Sequence, residues 1–200
     1  MTTSAPKNCP KFVLASASPR RKLLLEQAGY SFDVVVSDVD ESKYSADNST
    51  DLTQILALAK AKEVAVKLPG KLVMGSDTVV DCEGEIIGKP TDAADADRIT
   101  RLLFSRPHDV ITGVAVVRIR DNTEIVRSAV TRVFPRKLTE EQIAGHIRGG
   151  GWKGKAGAYG IQETGDEFVE RIEGSYTNVI GLPMELVAEI FYFLTTDLTD

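Results

Sequence analysis

The stretch "HDVITGVAVVRIRDNTEIVRSAVTRVF", His108 to Phe134, holds two runs rich in β-branched residues, separated by Asp121-Asn122. Val, Ile and Thr suit a pleated, half-buried surface, and an Asp-Asn pair between two such runs turns the chain back. The stretch therefore reads as an antiparallel hairpin. Upstream of it, strands and helices alternate. An alternating start followed by a hairpin predicts an α/β fold with a mixed sheet flanked by helices.

Working outward, "FVLASASPRRKLLLEQAGYSF" from Phe12 is a strand followed by a helix. Ser18 suits the N-cap, Pro19 the first helical position and Gly29 the stop. "FDVVVSDVDES" is a strand that breaks into an acidic loop. A helix is expected from about Leu52 to Leu68, capped by Thr50 or Asp51 and ended by Pro69-Gly70. "KLVMGSDTVVDCEGEIIGKP" gives a strand with Asp77 where it ends or bends, a turn at Glu83-Gly84 and a short return strand. Another helix is expected from about Asp92 to Phe104. Beyond the hairpin, Thr139 and Gln142 form a capping box for a helix that stops at Gly149-Gly150-Gly151. A strand pair is expected around "AYGIQ" and "FVERI", then an apolar helix after Pro183.

With 200 residues, 42% of them hydrophobic and 26% charged, the chain can bury one sizeable core. We expect a flexible leader over 1–11 and a single domain over 12–200. A net charge of −5 disfavours a nucleic-acid binder and leaves room for a local basic pocket. Two cysteines, Cys9 and Cys82, have neither metal-ligand nor disulfide spacing. The leader "MTTSAPKNCPK" lacks the apolar core of a signal peptide and no run reaches membrane-spanning length, so a soluble, cytoplasmic protein without a membrane partner is expected.

Ser16, Ser18, Arg20 and Arg21 pose a question. Cations are disfavoured in a first helical turn, where the macrodipole is already positive, so an anion is expected there. Free N–H groups, two hydroxyls and two guanidiniums suit a phosphate group. A solvated helix start whose arginines pair with carboxylates is the ordinary alternative. Asp77 follows an apolar run and the small pair Gly75-Ser76, which puts a carboxylate where a sheet opens to a cleft. It could activate a water or hold a divalent cation, with Lys89 returning across the turn to face it. Lys60 lies within an apolar helix, where a lysine ordinarily snorkels. Glu41 is an exposed charge or an oxygen ligand for a hard cation. His108 and His146 read as structural. "GGGWKGKA" from Gly149 matches a phosphate loop except that Ala156 stands where Ser or Thr must bind magnesium, and it follows a helix rather than a strand. It is better read as a loop covering a ligand.

Four separated stretches, "LASASPRRKLLL", "LALAKAKEVA", "GSDTVV…IIGKP" and "KAGAYGIQ…FVERIEGSYTNVIGLP", together resemble the Maf family of nucleoside triphosphate pyrophosphatases. The resemblance covers nearly the whole chain from Phe12 onward. It implies a fold related to the inosine triphosphate pyrophosphatases, with two lobes around a nucleotide cleft. It also implies hydrolysis of a nucleoside triphosphate to monophosphate and pyrophosphate, with the triphosphate as the anion at Ser16, Ser18, Arg20 and Arg21. On the family's pattern Asp77 is the catalytic carboxylate, Lys60 and Lys89 bind phosphates, and Glu41 is the acidic residue after the second strand. A divalent cation, Mg or Mn, is implied, with Glu41 and Asp77 as its ligands. The family splits by substrate, and Arg21, Thr78 and Gln162 resemble the branch acting on dTTP and UTP. A Gln amide offers a donor and an acceptor to the imide edge of uracil and thymine. One departure is Gly154, where many members carry Asp. Housecleaning of modified nucleotides and nucleotide-dependent regulation of septum formation are the other functions compatible with the resemblance, and a homodimer is compatible with the sequence.

Overall fold

A computed structural model of the protein describes residues 3–162 and 168–196. Seven strands form one sheet in the order β2-β1-β3-β5-β6-β7, with β4 added to β3. These are β1 (Phe12–Leu14), β2 (Phe32–Val34), β3 (Leu72–Cys82), β4 (Glu85–Ile87), β5 (His108–Arg118), β6 (Thr123–Pro135) and β7 (Val169–Glu173). β1 pairs parallel with β2 and β3, and the remaining pairs are antiparallel, so the sheet is mixed as expected.

The helices are α1 (Pro19–Gln27), α2 (Ser49–Lys67), α3 (Ala93–Leu103), α4 (Glu140–Gly149), α5 (Tyr176–Ile180) and α6 (Met184–Thr196). Local capping chemistry explains most of their ends. Ser18 accepts from the Arg21 amide at the start of α1, and Thr139 and Gln142 close a reciprocal capping box on α4. α2 begins earlier than expected, at Ser49, because Asn48 rather than Thr50 or Asp51 is the cap and accepts from the Asp51 amide at 2.9 Å. Glu83 and Gly84 both have positive φ, the requirement of a tight hairpin turn between β3 and β4.

Two corrections concern strands. β3 does not end or bend at Asp77 but runs through it for eleven residues. "AYGIQ" forms no strand: Gly157 and Ala158 take left-handed conformations, which break extended pairing. Ahead of β1, the Ala5 amide donates to the Ala28 carbonyl at 2.9 Å and Cys9 packs on the core.

The sheet separates two apolar layers. On one face α2 presses Ala57, Ala61, Val64 and Ala65 against Val13, Val73, Ala115 and Val117. The approach is so close that a Cβ on Gly75 would lie 2.2 Å from the Ala57 carbonyl oxygen, and one on Gly113 would lie 2.2 Å from that of Thr53. On the other face Phe12, Met74, Val114, Val116, Leu182 and Phe191 belong to the larger core. No helix among the described residues is long and apolar enough to cross a membrane.

Candidate active site

β3 pairs with β5 along its length from Val73 to Asp81. On its other edge it meets β1 only through Leu72–Met74 and β4 only from Val80 onward. Among the described residues no strand lies beside residues 75–79 there, because β1 ends at Leu14 and the chain peels away into α1. A cavity of about 900 Å³ adjoins this gap. Asp77 and Thr78, consecutive on β3, both line it. Side chains alternate along a strand, so Asp77 faces the α2 layer and Thr78 the opposite layer.

Asp77 is buried, and its Oδ1 accepts from Lys60 Nζ at 2.6 Å. The same ammonium lies 2.7 Å from Oε1 of Glu41, which sits in a single turn over Glu41–Lys43. Lys60 therefore does not snorkel to solvent. Gly75 and Gly113 let α2 settle onto the sheet, and that close approach delivers Lys60 to the carboxylate. A buried carboxylate and ammonium together avoid the penalty that either would carry alone.

Arg20 and Lys89 also line the cavity, and among the described residues neither has an ion pair. Lys89 follows β4, so the β3–β4 turn does return it to the same cavity as Asp77. Arg21 behaves differently from the expectation of a phosphate ligand. Its Nε donates to the Gly181 carbonyl at 2.9 Å, and one terminal nitrogen donates to the Ser76 carbonyl at 2.7 Å and to Ser16 Oγ at 3.2 Å. The other terminal nitrogen donates to Thr78 Oγ1 at 2.9 Å. A guanidinium with its donors spent this way has little left for an anion. Burial works against its charge, while the Asp77 and Glu41 carboxylates favour it.

Ser16 Oγ also accepts from the Ser18 amide, and Ser18 is taken up in capping α1, so both hydroxyls shape the helix entry beside the cavity. Gln162 lines the cavity and is the last residue before the undescribed 163–167. The glycine-rich loop contributes Lys153, Gly154 and Lys155 to the lining, while Trp152 anchors it with Nε1–H on the Ile147 carbonyl at 3.0 Å. Both histidines hold the segment that follows. His146 Nε2 lies 2.8 Å from the Ala158 carbonyl, and His108 Nε2 lies 2.9 Å from the Tyr159 hydroxyl.

The sequence reading left Lys155 without a role and missed two further participants, Gly181 and Thr112. Lys155 is buried and donates to the Gly151 carbonyl. The Gly181 carbonyl receives both Arg21 and Thr78. Thr112, directly across from Thr78, places its hydroxyl 2.9 Å from that of Thr78. A hydroxyl in the middle of the apolar run "VITGVAVV" was the available signal for Thr112.

A divalent cation fits the chemistry of the two carboxylates in a limited way. Among the described residues no three His, Cys, Asp or Glu side chains gather into a ready-made cage. Lys60 engages Oδ1 of Asp77 and Oε1 of Glu41, which leaves each carboxylate a second oxygen. Two carboxylates plus substrate phosphates is the usual way magnesium is held at phosphoryl sites.

A family model described as Maf-like protein matches residues 11–193. A dTTP/UTP pyrophosphatase of Geotalea uraniireducens is 48% identical over 172 residues, 86% of this chain and 89% of that protein. Another, of Moorella thermoacetica, is 46% identical over 187 residues, 94% of this chain and 96% of that one. Among solved structures, the Staphylococcus aureus Ham1 protein overlaps at a TM-score of 0.43 and 12% identity, covering 64% of this chain and 73% of its own, too slight an overlap to bear on the site. With the match running through β1, α1, α2, β3 and β5, the elements that build the cavity, the chain belongs to the Maf-like protein family.

Proposed function

We propose that this protein hydrolyses nucleoside triphosphates, dTTP and UTP by preference, to the nucleoside monophosphate and pyrophosphate. The observation that carries the reading is the buried Asp77 carboxylate on Lys60 in a cavity that Arg20 and Lys89, two cations without an ion pair among the described residues, also line. A site that only bound phosphates would gain nothing from a carboxylate among them. The dTTP/UTP pyrophosphatase names of relatives at 45–48% identity support the substrate assignment.

A triphosphate brings about four negative charges, and Arg20, Lys60 and Lys89 are the cations to offset them. Asp77 takes a proton from the water that attacks the α-phosphorus. One phosphorus–oxygen bond forms there, and the bond to the bridging oxygen breaks to release pyrophosphate. Glu41 and the phosphates would hold a divalent cation, Mg or Mn, where it would add charge neutralisation, while the oxygen of Asp77 that Lys60 leaves free serves as the base. Glu41 also keeps Lys60 directed at the carboxylate.

The test is a panel of dTTP, UTP, CTP, GTP and ATP with Mg or Mn, assayed for pyrophosphate in ¹⁸O-labelled water. The label should enter the monophosphate, and dTTP and UTP should exceed GTP about tenfold or more in kcat/KM. Release of orthophosphate, or tight nucleotide binding with no turnover, would overturn the proposal.

A further inference from the structure

Thr112 lies on β5 directly opposite Thr78, is fully buried and does not line the cavity. Among the described residues, the one hydrogen-bond partner of its hydroxyl is Thr78 Oγ1 at 2.9 Å, which can accept its proton. Thr78 Oγ1 also receives an Arg21 N–H at 2.9 Å, so its own proton is left for the Gly181 carbonyl at 3.3 Å. The directions are then determined by counting donors. Thr112 donates to Thr78, Thr78 donates to Gly181, and Arg21 Nε donates to that same carbonyl at 2.9 Å.

Gly181 follows α5 and, with Val179 and Ile180, lines the cavity. With the phosphates drawn to Arg20, Lys60 and Lys89, a nucleoside is left to the neutral part of the lining, which includes Tyr159, Ile161, Gln162, Val179, Ile180 and Gly181. The hydrogen-bond chain therefore ends on a carbonyl within the neutral lining that is open to a base. We infer that Thr112 is a positioning residue for base selection: it orients the Thr78 hydroxyl and so holds Gly181, without touching substrate. This rests on the proposed pyrophosphatase reading and extends it to how the base is chosen.

Alternation along β3 keeps this unit apart from the chemistry, since Asp77 faces Lys60 on the other layer. Loss of the Thr112 hydroxyl should thus change base preference more than catalytic power. Thr112→Val removes the hydroxyl at nearly constant shape, and Thr112→Ser keeps it. KM and kcat would be measured for UTP, dTTP and GTP. In parallel, calorimetry would measure binding of the α,β-imido analogues of UTP and GTP, which are not hydrolysed at that bond. Thr112→Val should raise KM for UTP and dTTP about fivefold to tenfold with kcat within twofold, and narrow the UTP-to-GTP ratio in turnover and binding. Thr112→Ser should restore the ratio. An unchanged ratio in Thr112→Val, or an equal loss in both variants, would overturn the inference. A wild type that binds the uridine analogue preferentially but hydrolyses nothing would defeat the pyrophosphatase reading, and the calorimetric ratio would still decide the role of Thr112. A wild type that hydrolyses every nucleotide alike would overturn the inference and leave the pyrophosphatase chemistry standing.

Discussion

Arg21 and Thr78, 57 positions apart in the chain, are joined by a guanidinium N–H donating to Oγ1 at 2.9 Å. The resemblance had marked both as specificity positions, and the structure makes them one unit that closes on the Gly181 carbonyl. Arg21 thereby staples α1 to the open edge of β3 and to the segment after α5. The cation in the first helical turn is explained by neutral acceptors of the protein itself.

Lysine at position 21 would keep the charge but not the fork, and one ammonium cannot satisfy Ser16, Ser76, Thr78 and Gly181 together. Arg21→Lys should lower stability by about 2 kcal/mol through unpaired buried acceptors and narrow the preference for dTTP and UTP over GTP. Chemical denaturation and the nucleotide panel would check both. Full stability with an unchanged preference would show the staple to be idle.

Asp77→Asn should leave the fold standing, because the amide oxygen can still accept from Lys60, while kcat falls about 10²–10⁴-fold. Lys60→Met should lose activity and also stability, by about 3 kcal/mol, since it leaves the Asp77 carboxylate buried beside Glu41 without its cation. An Asp77→Asn enzyme retaining more than about a tenth of wild-type kcat would remove the carboxylate from the mechanism.

Lys89 is exposed and without an ion pair among the described residues, so Lys89→Ala should leave the denaturation midpoint unchanged. Its effect should fall on kcat/KM for dTTP, by about tenfold or more, because a cation that offsets phosphate charge is gone. Salt titration of the wild type should weaken substrate binding in the same direction. An unaltered kcat/KM would make Lys89 a bystander.

Gly113→Ala places a methyl group where Thr53 backbone already stands 2.2 Å away. α2 would have to move off the sheet, at a cost of about 1–3 kcal/mol, and Lys60 would move with it. Gly70→Ala, where nothing lies within 4 Å, is the control and should be close to neutral. Equal stability of the two variants would mean that the helix approach is not tight.

His108 is buried as a neutral imidazole, with Nδ1 3.2 Å from the Leu103 carbonyl and Nε2 facing the Tyr159 hydroxyl. Burial pushes it down from 6.5 to about 4. Between these values the unfolded chain takes up a proton that the folded chain does not, so stability falls as pH drops from about 6.5 towards 4. The full difference amounts to about 3 kcal/mol. His108→Gln should flatten denaturation midpoints across that range, and an unchanged slope would assign the acid sensitivity elsewhere.

Local chemistry was legible from the sequence by itself. Ser18-Pro19, Thr139 with Gln142, Glu83-Gly84 and the β-branched runs on either side of Asp121-Asn122 act over a few residues, through caps, turns and strand propensity, and they announce themselves as neighbours in the chain. The resemblance likewise placed Arg20, Glu41, Lys60, Asp77, Lys89 and Gln162 in one site, and all six line one cavity. Only the tertiary structure decided that Asp77 lies mid-strand, because the open edge beside it exists where β1 ends and β4 has not begun. Only the tertiary structure turned Arg21 inward, since its acceptors at Ser76 and Gly181 lie 55 and 160 positions away. A side chain's donors are spent on whatever the fold brings within 3 Å, and no local pattern carries that information.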